Sequence, residues 1–309
     1  MVISRIHRHW GLALVLAFTG VLAPALAAVD RSLDWVTPAM TGPRVVHEIF
    51  RSAAAEGPVS YHLYVPAAYR EDPQRRFPVV YWLHGSGGGL PGIAPLARQF
   101  DAAIAAGRVP PCLVVFVNGM RNGMYVDWKD GSAPLETVII RDLIPHLDAT
   151  YRTIPTRDGR LLDGFSMGGY GAARLGFKFP ERFGSVSLMG GGPLQLDLRA
   201  VAPRASAARV EDLMQRVYGG DPDYFRQVSP RAMAELNAKR LTAGTRIRMV
   251  IGTADETYAN NVAFHTHLQG LGIPHEWIVL DGVDHDPLKT LRALGDRHWA
   301  FYREAFGTP

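Results

Sequence analysis

Short apolar runs alternate with stretches of helical spacing along this chain from residue 78 onward. Apolar runs of four to six residues are typical of strands that are covered on both faces of a parallel sheet. Strands are predicted at residues 78–83, 112–117, 186–189, 247–251 and 276–280. Helices are predicted up to about residue 106 and at residues 135–147, 210–218, 224–239, 262–271 and 288–306. The alternation predicts an α/β fold, with a mostly parallel sheet and helices on both faces.

Two further runs rich in Val, Ile and Tyr precede this alternation, at residues 44–50 and 59–65. A polar stretch that contains Gly57 and Pro58 separates them, so the pair predicts an antiparallel N-terminal hairpin. Residues 190–245 are polar and helical, and the strand pattern resumes directly after them. We therefore expect a single domain over residues 29–309 with a helical insertion at about residues 190–245.

The first 28 residues have the pattern of a secretory signal peptide. Arg5 and Arg8 supply a positive start, an apolar run covers residues 12–22, and Ala25-Leu26-Ala27 matches a cleavage site. A permanent membrane anchor is the alternative, but the apolar run is short for a membrane span. We expect residues 1–28 to be removed and the mature protein to be secreted or periplasmic, without a stable membrane anchor.

Composition excludes several classes of protein. Hydrophobic residues make up 47% of the 309 residues, which is a globular rather than a disordered composition. The formal net charge of +4 is too small to indicate a nucleic acid partner. Cys112 is the only cysteine, so no disulfide can form within the chain.

The sequence at residues 164–168 matches the pattern G-x-S-x-G, with Ser166 between Gly164 and Gly168. In this pattern a serine lies on a strained turn between a strand and a helix, and its neighbours are small because the two elements nearly collide. Apolar residues before Ser166 predict the strand, and helical spacing up to Pro180 predicts the helix. Ser166 is therefore the candidate nucleophile, and a buried structural serine is the alternative.

A serine hydroxyl is a weak nucleophile and needs a base that is itself oriented by an acid. Asp255 and His285 each follow one of the last two predicted strands, where ligand-binding loops of parallel sheets lie. The chain order Ser166, Asp255, His285 is the order found in α/β-hydrolases. Three other carboxylates compete with Asp255 for the role of the acid: Glu256, Asp281 and Asp284.

The chain has 11 histidines, and their positions distinguish them. His62, His146 and His298 fall within predicted strands or helices. His265 and His267 lie two residues apart on a predicted helix and would face nearly opposite ways, so they do not predict a shared metal ion. We expect no metal and no organic cofactor.

A Gly-rich segment, residues 84–92, follows the first buried strand. The backbone N–H groups of Ser86 and Met167 are predicted to bind the oxyanion of a tetrahedral intermediate, with Gly85 or Gly87 as alternatives to Ser86. The same segment formally matches the dinucleotide pattern G-x-G-x-x-G. That interpretation fails because Pro91 interrupts the turn and the next strand ends in Asn118 rather than an acid.

The loop over residues 118–130 carries the aromatic residues Tyr125 and Trp128 and is predicted to overhang Ser166. We expect both rings to contact substrate, together with His84 and Gly85 at the Gly-rich segment. The alternative is a loop that packs on its own aromatic residues.

Several segments together resemble the esterase D-like family of α/β-hydrolases. This family includes feruloyl and acetylxylan esterases, S-formylglutathione hydrolase and the mycolyltransferases. The matching segments are YWLHGSGG at 81–88, YVDW at 125–128, the stretch from LIP at 143–145 to YR at 151–152, GFSMGGYGA at 164–172, FPERF at 179–183, GTAD at 252–255 and the loop around residue 285. The resemblance extends from about residue 59 to the C-terminus.

The resemblance implies a serine hydrolase with nucleophile Ser166, acid Asp255, base His285 and oxyanion N–H groups from Ser86 and Met167. The loop around His285 departs from the family, because Asp284 and Asp286 flank the histidine where Gly and a nearby Trp are frequent. An exported member fits an esterase that acts on acetyl or feruloyl esters of carbohydrate, as small molecules or linked to polysaccharide. An acyltransferase, a serine peptidase and a non-catalytic binding protein are the alternatives.

Overall fold

A computed structural model of the protein describes residues 33–200 and 205–307. The predicted signal peptide, residues 1–28, lies outside the described residues. Among the described residues, no helix has the length and apolar character needed to cross a membrane.

Eight strands form one mixed, mostly parallel sheet in the order β1-β2-β4-β3-β5-β6-β7-β8. The first two form the predicted antiparallel hairpin, β2 pairs antiparallel with β4, and every other neighbouring pair is parallel. The strands are β1 Val45–Ser52, β2 Gly57–Tyr64, β3 Val79–Leu83, β4 Leu113–Phe116, β5 Arg160–Phe165, β6 Ser185–Met189, β7 Arg246–Gly252 and β8 Glu276–Leu280. The α/β-hydrolase fold class predicted from the sequence is confirmed.

Helices surround this sheet. They are α1 Ala68–Glu71, α2 Leu90–Ala105, α3 Leu135–Thr137, α4 Ile144–Thr150, α5 Met167–Lys178, α6 Ala207–Tyr218, α7 Pro222–Gln227, α8 Pro230–Thr242, α9 Tyr258–Gly270, α10 Pro287–Leu294 and α11 Asp296–Phe306. A π-helical segment, Val138–Leu143, joins α3 to α4. Three helices, α6 to α8, occupy the region predicted as a helical insertion.

Two predicted helices are each divided in the structure. The prediction of one continuous helix over residues 288–306 is wrong. Gly295 has φ 54° and ψ −125°, which are not helical values, and it separates α10 from α11. The predicted helix at residues 224–239 is likewise divided between α7 and α8. There the Ser229 hydroxyl caps α8, and Pro230, at the first helical position, has no N–H to continue α7.

Side chains of the sheet alternate between two hydrophobic clusters. In β3, Val79, Tyr81 and Leu83 belong to one cluster, whereas Val80 and Trp82 belong to the other. Because both faces are covered, the central strands consist of buried residues throughout. This explains why they appear in the sequence as continuous apolar runs.

Strands β3 and β5 are neighbours although they are not consecutive in the chain. The connection after β3 leads to β4 on one side, and β5 lies on the other side, so the strand order reverses between them. Loops at the carboxyl ends of two such strands diverge and leave a crevice. The Gly-rich segment after β3 and Ser166 after β5 both lie at this crevice.

Arg174 of α5 is 2% exposed and links three parts of the chain. Its guanidinium donates to the carbonyl oxygens of Tyr125 (3.0 Å) and Val228 (2.7 Å) and forms an ion pair with Glu136. Lys178 pairs with the other oxygen of the same carboxylate at 2.6 Å. Arg174 therefore attaches the loop after β4 and the α7–α8 junction to α5.

Candidate active site

Ser166 lies between the end of β5 and the first residue of α5, as the sequence predicts for a nucleophile elbow. Its backbone has φ 60° and ψ −120°, a conformation that non-glycine residues rarely adopt. Three backbone hydrogen bonds hold it there: its N–H donates to Met189 O (2.9 Å), and its carbonyl accepts from Tyr170 N (3.0 Å) and Gly192 N (3.2 Å). The neighbouring strand β6 and the following helix α5 thus hold Ser166 in its strained backbone conformation.

The two glycines of the motif occupy positions with no room for a side chain. A Cβ at Gly168 would lie 1.9 Å from Leu83 O, and one at Gly164 would lie 2.4 Å from Gly168 O. Both obstacles are backbone atoms, so no rotamer change could remove the clash. Strand β3, strand β5 and helix α5 approach each other closely only because both positions are glycine.

Hydrogen bonds connect the three residues predicted as nucleophile, base and acid. His285 Nε2 lies 2.8 Å from Ser166 Oγ, and His285 Nδ1 lies 2.8 Å from Asp255 Oδ2. An ionised carboxylate only accepts hydrogen bonds, so Nδ1 carries the proton and Nε2 is free to accept the serine hydroxyl proton. The Phe165 ring packs against the imidazole with centroids 4.7 Å apart.

The environment of Asp255 keeps its carboxyl ionised. Burial raises the pKa of this carboxyl, but the hydrogen bond and charge of His285 and two donors from Thr257 outweigh burial, so the pKa is lowered overall. The Thr257 N–H and Oγ1 both donate to Asp255 Oδ1 at 2.7 Å. An ionised carboxylate in this position accepts a hydrogen bond from His285 Nδ1 and orients the ring with Nε2 toward Ser166.

Two of the competing carboxylates have other partners in the structure. Asp281 accepts from Thr253 Oγ1 at 3.3 Å and is exposed. Asp284 pairs with Lys289 at 2.8 Å. Asp255, in contrast, is 5% exposed and has direct contact with His285, which is the geometry that an orienting acid needs.

The Gly-rich segment passes directly beside the serine. A Cβ at Gly85 would lie 3.3 Å from Ser166 Cβ, so the backbone there is within reach of a bound substrate. Among the described residues, no protein acceptor takes the Ser86 N–H. Met167 is the first residue of α5, and N–H groups of a first helical turn have no intrahelical partner. Both N–H groups are therefore available to a ligand.

His84 binds backbone on both sides of its ring. Its Nδ1 donates to Gly85 O at 2.8 Å, and its Nε2 accepts from the Gly119 N–H at 3.1 Å. The Gly85 carbonyl and the Ser86 N–H belong to one planar peptide unit, so a bond that fixes the carbonyl also fixes the direction of the N–H. Burial lowers the pKa of His84 and keeps the ring neutral.

The structure does not place Tyr125 and Trp128 where the sequence predicted. Tyr125 is fully buried, and its hydroxyl donates to His84 O at 2.9 Å instead of facing a ligand. Trp128 packs against the hydrophobic core, with the Arg216 guanidinium 5.8 Å from its ring centroid. The predicted substrate contact by Tyr125 is wrong, because an aromatic residue can satisfy both its ring and its hydroxyl inside the protein.

A cavity of about 620 Å³ opens above Ser166 and His285. Residues predicted to contact substrate, His84, Gly85 and Ser86, line one side of it. The other side was not predicted and consists of residues 191–198 and helix α6, including Val210 and Leu213. The apolar residues of α6 form one face in the sequence, and their spacing does not indicate that Val210 and Leu213 on this face line a cavity as well as pack on the core.

The protein belongs to an esterase family. The family profile described as "Putative esterase" matches residues 52–281, which is most of the chain. An esterase of Mycobacterium tuberculosis strain H37Rv is 29% identical over 257 residues, covering 76% of this chain and 54% of the relative. The chain thus spans about half the length of the curated relatives it matches.

Solved structures of esterases share the fold. A ferulic acid esterase superposes with a TM-score of 0.70 at 21% identity and covers 85% of this chain and 98% of its own. S-formylglutathione hydrolase from Agrobacterium tumefaciens superposes with a TM-score of 0.67 at 18% identity, covering 85% of this chain and 95% of its own. The resemblance to this family stated from the sequence motifs is confirmed.

Proposed function

We propose that this esterase is a serine carboxylesterase that acts through an acyl-enzyme, with Ser166 as nucleophile, His285 as base and Asp255 as orienting acid. The single observation that carries the proposal is the pair of 2.8 Å hydrogen bonds that joins Asp255 to His285 and His285 to Ser166. Strained backbone at Ser166 and an ionised Asp255 are further support.

In the first half of the reaction, Ser166 Oγ attacks the ester carbonyl carbon while His285 Nε2 takes the hydroxyl proton. Negative charge develops on the carbonyl oxygen and is stabilised by the N–H groups of Ser86 and Met167. The C–O bond to the alcohol then breaks, and the alcohol leaves with the proton from His285. Asp255 stabilises the imidazolium that exists between these two proton transfers.

In the second half, His285 takes a proton from water, and the resulting hydroxide attacks the acyl-enzyme carbonyl. The carboxylic acid leaves, and Ser166 regains its proton from His285. The resemblance to feruloyl and acetylxylan esterases makes acetyl and feruloyl esters, including esters of carbohydrate, candidate substrates. An acyl acceptor other than water would make the same enzyme an acyltransferase.

Hydrolysis of 4-nitrophenyl acetate by the full chain tests this proposal. Ser166→Ala is expected to lose at least about 10⁴-fold in kcat. The exposed Ser132→Ala serves as the control and is expected to keep the wild-type rate. Mass spectrometry after treatment with a fluorophosphonate should show one adduct in the wild type and none in Ser166→Ala. Wild-type turnover by Ser166→Ala would exclude the serine mechanism.

We also propose that the protein is exported, on the basis of the pattern in residues 1–28. The positive start, the apolar run and the Ala25-Leu26-Ala27 pattern support the proposal. N-terminal sequencing of the protein recovered from the periplasm or the medium is expected to begin near residue 29. Recovery of the uncleaved chain from the cytoplasm alone would contradict it.

A further inference from the structure

The walls of the cavity above Ser166 are mainly aliphatic. Two segments of the chain face each other there: α2 on one side, and residues 191–198 with α6 on the other. The aliphatic side chains that line it include Leu96, Leu194, Leu198, Val210, Leu213 and Leu288. Apart from the histidines, the aromatic rings in the described lining are Trp82 and Phe165, each no more than 6% exposed.

The charged side chains that α6 contributes to this cavity lie on exposed positions and have partners in the protein, and the half-buried Glu256 is a further charged residue of the lining. Arg216 pairs with Asp212 at 2.9 Å, and Arg209 donates to Asn122 at 3.3 Å. Both arginines and Asp212 are exposed and belong to α6. The polar groups of α6 therefore border the solvent, while Val210 and Leu213 present an apolar surface.

Hydrogen bonds fix the leucine-bearing wall in place without a ligand. Arg231 of α8 donates to Leu194 O at 3.0 Å, and Asn261 of α9 donates to Gly191 O at 2.9 Å. Asn260 Nδ2 also donates to Gln195 Oε1 at 3.3 Å. A wall that is already formed costs little ordering free energy when an apolar group binds.

We propose that this cavity binds the aliphatic chain of a medium-chain ester, so that the preferred substrates are alkyl esters rather than acetyl or feruloyl esters. The inference rests on the proposed function and names the substrate class of the same site. An acetyl group fills only a small part of a cavity of about 620 Å³ whose lining is mainly apolar. A longer chain removes that surface from water, which is the main source of its binding free energy.

A feruloyl group fits this wall less well. Its ring carries a phenolic hydroxyl at the far end from the ester, and burial of that hydroxyl requires a hydrogen-bond partner. The aliphatic wall supplies none, although the buried Nε2 of Gln195, which also lines the cavity, has no hydrogen-bond partner among the described residues. The wall of Leu194, Leu198, Val210 and Leu213 offers aliphatic groups where the ring would stack. A flexible alkyl chain has no polar atom to satisfy there.

Two series of substrates test the proposal and distinguish the two parts of an ester that could supply the chain. The first series keeps the 4-nitrophenyl group and varies the acyl group from acetyl to decanoyl, with 4-nitrophenyl ferulate as comparison. The second keeps the acetyl group and varies the alcohol from ethanol to decanol. In one series, kcat/KM is expected to rise about fourfold per methylene until the cavity is full. The responding series identifies which part of the ester lies against the wall.

A pair of variants tests the wall itself. Leu213→Trp fills part of the cavity and is expected to lower the ratio of kcat/KM for the best long-chain ester to that for acetate by about tenfold. Leu236→Trp alters a leucine of α8 that is 75% exposed and away from the cavity, and it is expected to keep the wild-type ratio.

The possible outcomes separate this inference from the proposed function. If acetate hydrolysis does not depend on Ser166, the serine mechanism itself fails. If hydrolysis depends on Ser166 but kcat/KM falls with chain length in both series, or is highest for the ferulate, only the aliphatic assignment is overturned. An unchanged ratio in Leu213→Trp would overturn the assignment of the wall to α6.

Discussion

Two regions of this protein face the same cavity and are built by different means. The elbow region, residues 160–178, consists of β5 and α5 and is confined by backbone atoms, such as Leu83 O against Gly168. The crossover segment, residues 190–245, meets the cavity with side chains such as Val210 and Leu213. The Ser166 hydroxyl is therefore positioned by the backbone, whereas the shape of the cavity above it depends on side chains.

After Ser166→Ala, the largest effect on kcat is expected at Asp255, because the proposed serine mechanism needs an oriented base. Asp255→Asn is expected to lower kcat by about 10³- to 10⁴-fold, since the amide favours the wrong tautomer of His285. Steady-state hydrolysis of 4-nitrophenyl acetate measures this effect. Asp281→Asn, a competing carboxylate, should keep the wild-type kcat, and the reverse result would assign the acid to Asp281.

Gly168 tests the claim that backbone atoms confine the elbow region. Gly168→Ala places a Cβ 1.9 Å from Leu83 O, so β3 and α5 must move apart. We expect a loss of about 4 kcal/mol or more in the free energy of unfolding, measured by denaturant titration. Gly270→Ala is the matched control, because no atom lies within 4 Å of its Cβ position. Equal stability of the two variants would show that the elbow region can adapt.

Arg174 connects the two regions, since it bonds to Val228 O from within α5. Arg174→Met is expected to lower the free energy of unfolding by about 3 kcal/mol, because buried carbonyl groups and Glu136 lose a partner. Arg226→Met removes an exposed ion pair with Asp223 and should cost less than about 1 kcal/mol. A similar loss in both variants would contradict the role given to Arg174.

The dependence of stability on pH gives a second measure of Arg174. Burial raises the pKa of Glu136, but Arg174 and Lys178 outweigh burial and lower it overall. A lowered pKa in the folded state means stabilisation that is present above the ordinary Glu pKa of about 4.3 and is lost as the pH falls below it. This loss on acidification should be smaller in Arg174→Met than in the wild type.

The smallest effect is expected at His84, which acts through the backbone of its neighbours. His84→Ala is expected to lower kcat by about 10- to 100-fold, because the Ser86 N–H is no longer held in one direction. KM should change little, since the effect concerns the transition state. A change in KM with constant kcat would instead indicate that His84 contacts the substrate, as the sequence suggested.

The elbow region could be predicted from the sequence because its constraints are local. Gly164, Ser166 and Gly168 are fixed by the turn that joins a strand to a helix, and the pattern of five residues describes that turn completely. Asp255 and His285 followed from a second rule, that loops at the carboxyl ends of parallel strands meet. Their hydrogen bonds to one another agree with the placement that this rule predicts.

The cavity wall and the position of Tyr125 could not be predicted in the same way. Tyr125 has φ 54° and a buried hydroxyl, and nothing in its neighbouring residues indicates either property. The division of the last helix at Gly295 depends on a positive φ, which a single glycine permits but does not require. The face that α6 turns toward the cavity depends on contacts that are distant in the chain, such as the Lys129 N–H, which donates to Val217 O of α6 at 3.0 Å.

Strands β6 and β7 lie side by side in the sheet, although the whole crossover segment separates them in the chain. Their five paired positions, from Ser185 opposite Arg246 to Met189 opposite Val250, are set by the ladder and by the buried cores on either face. A protein engineer can therefore diversify cavity-lining positions such as Leu194, Leu198, Val210 and Leu213 as a library while leaving the residues of the sheet and the elbow region unchanged. Under the proposed function, selection from that library would change which esters are accepted while Ser166 and its turn stay as they are.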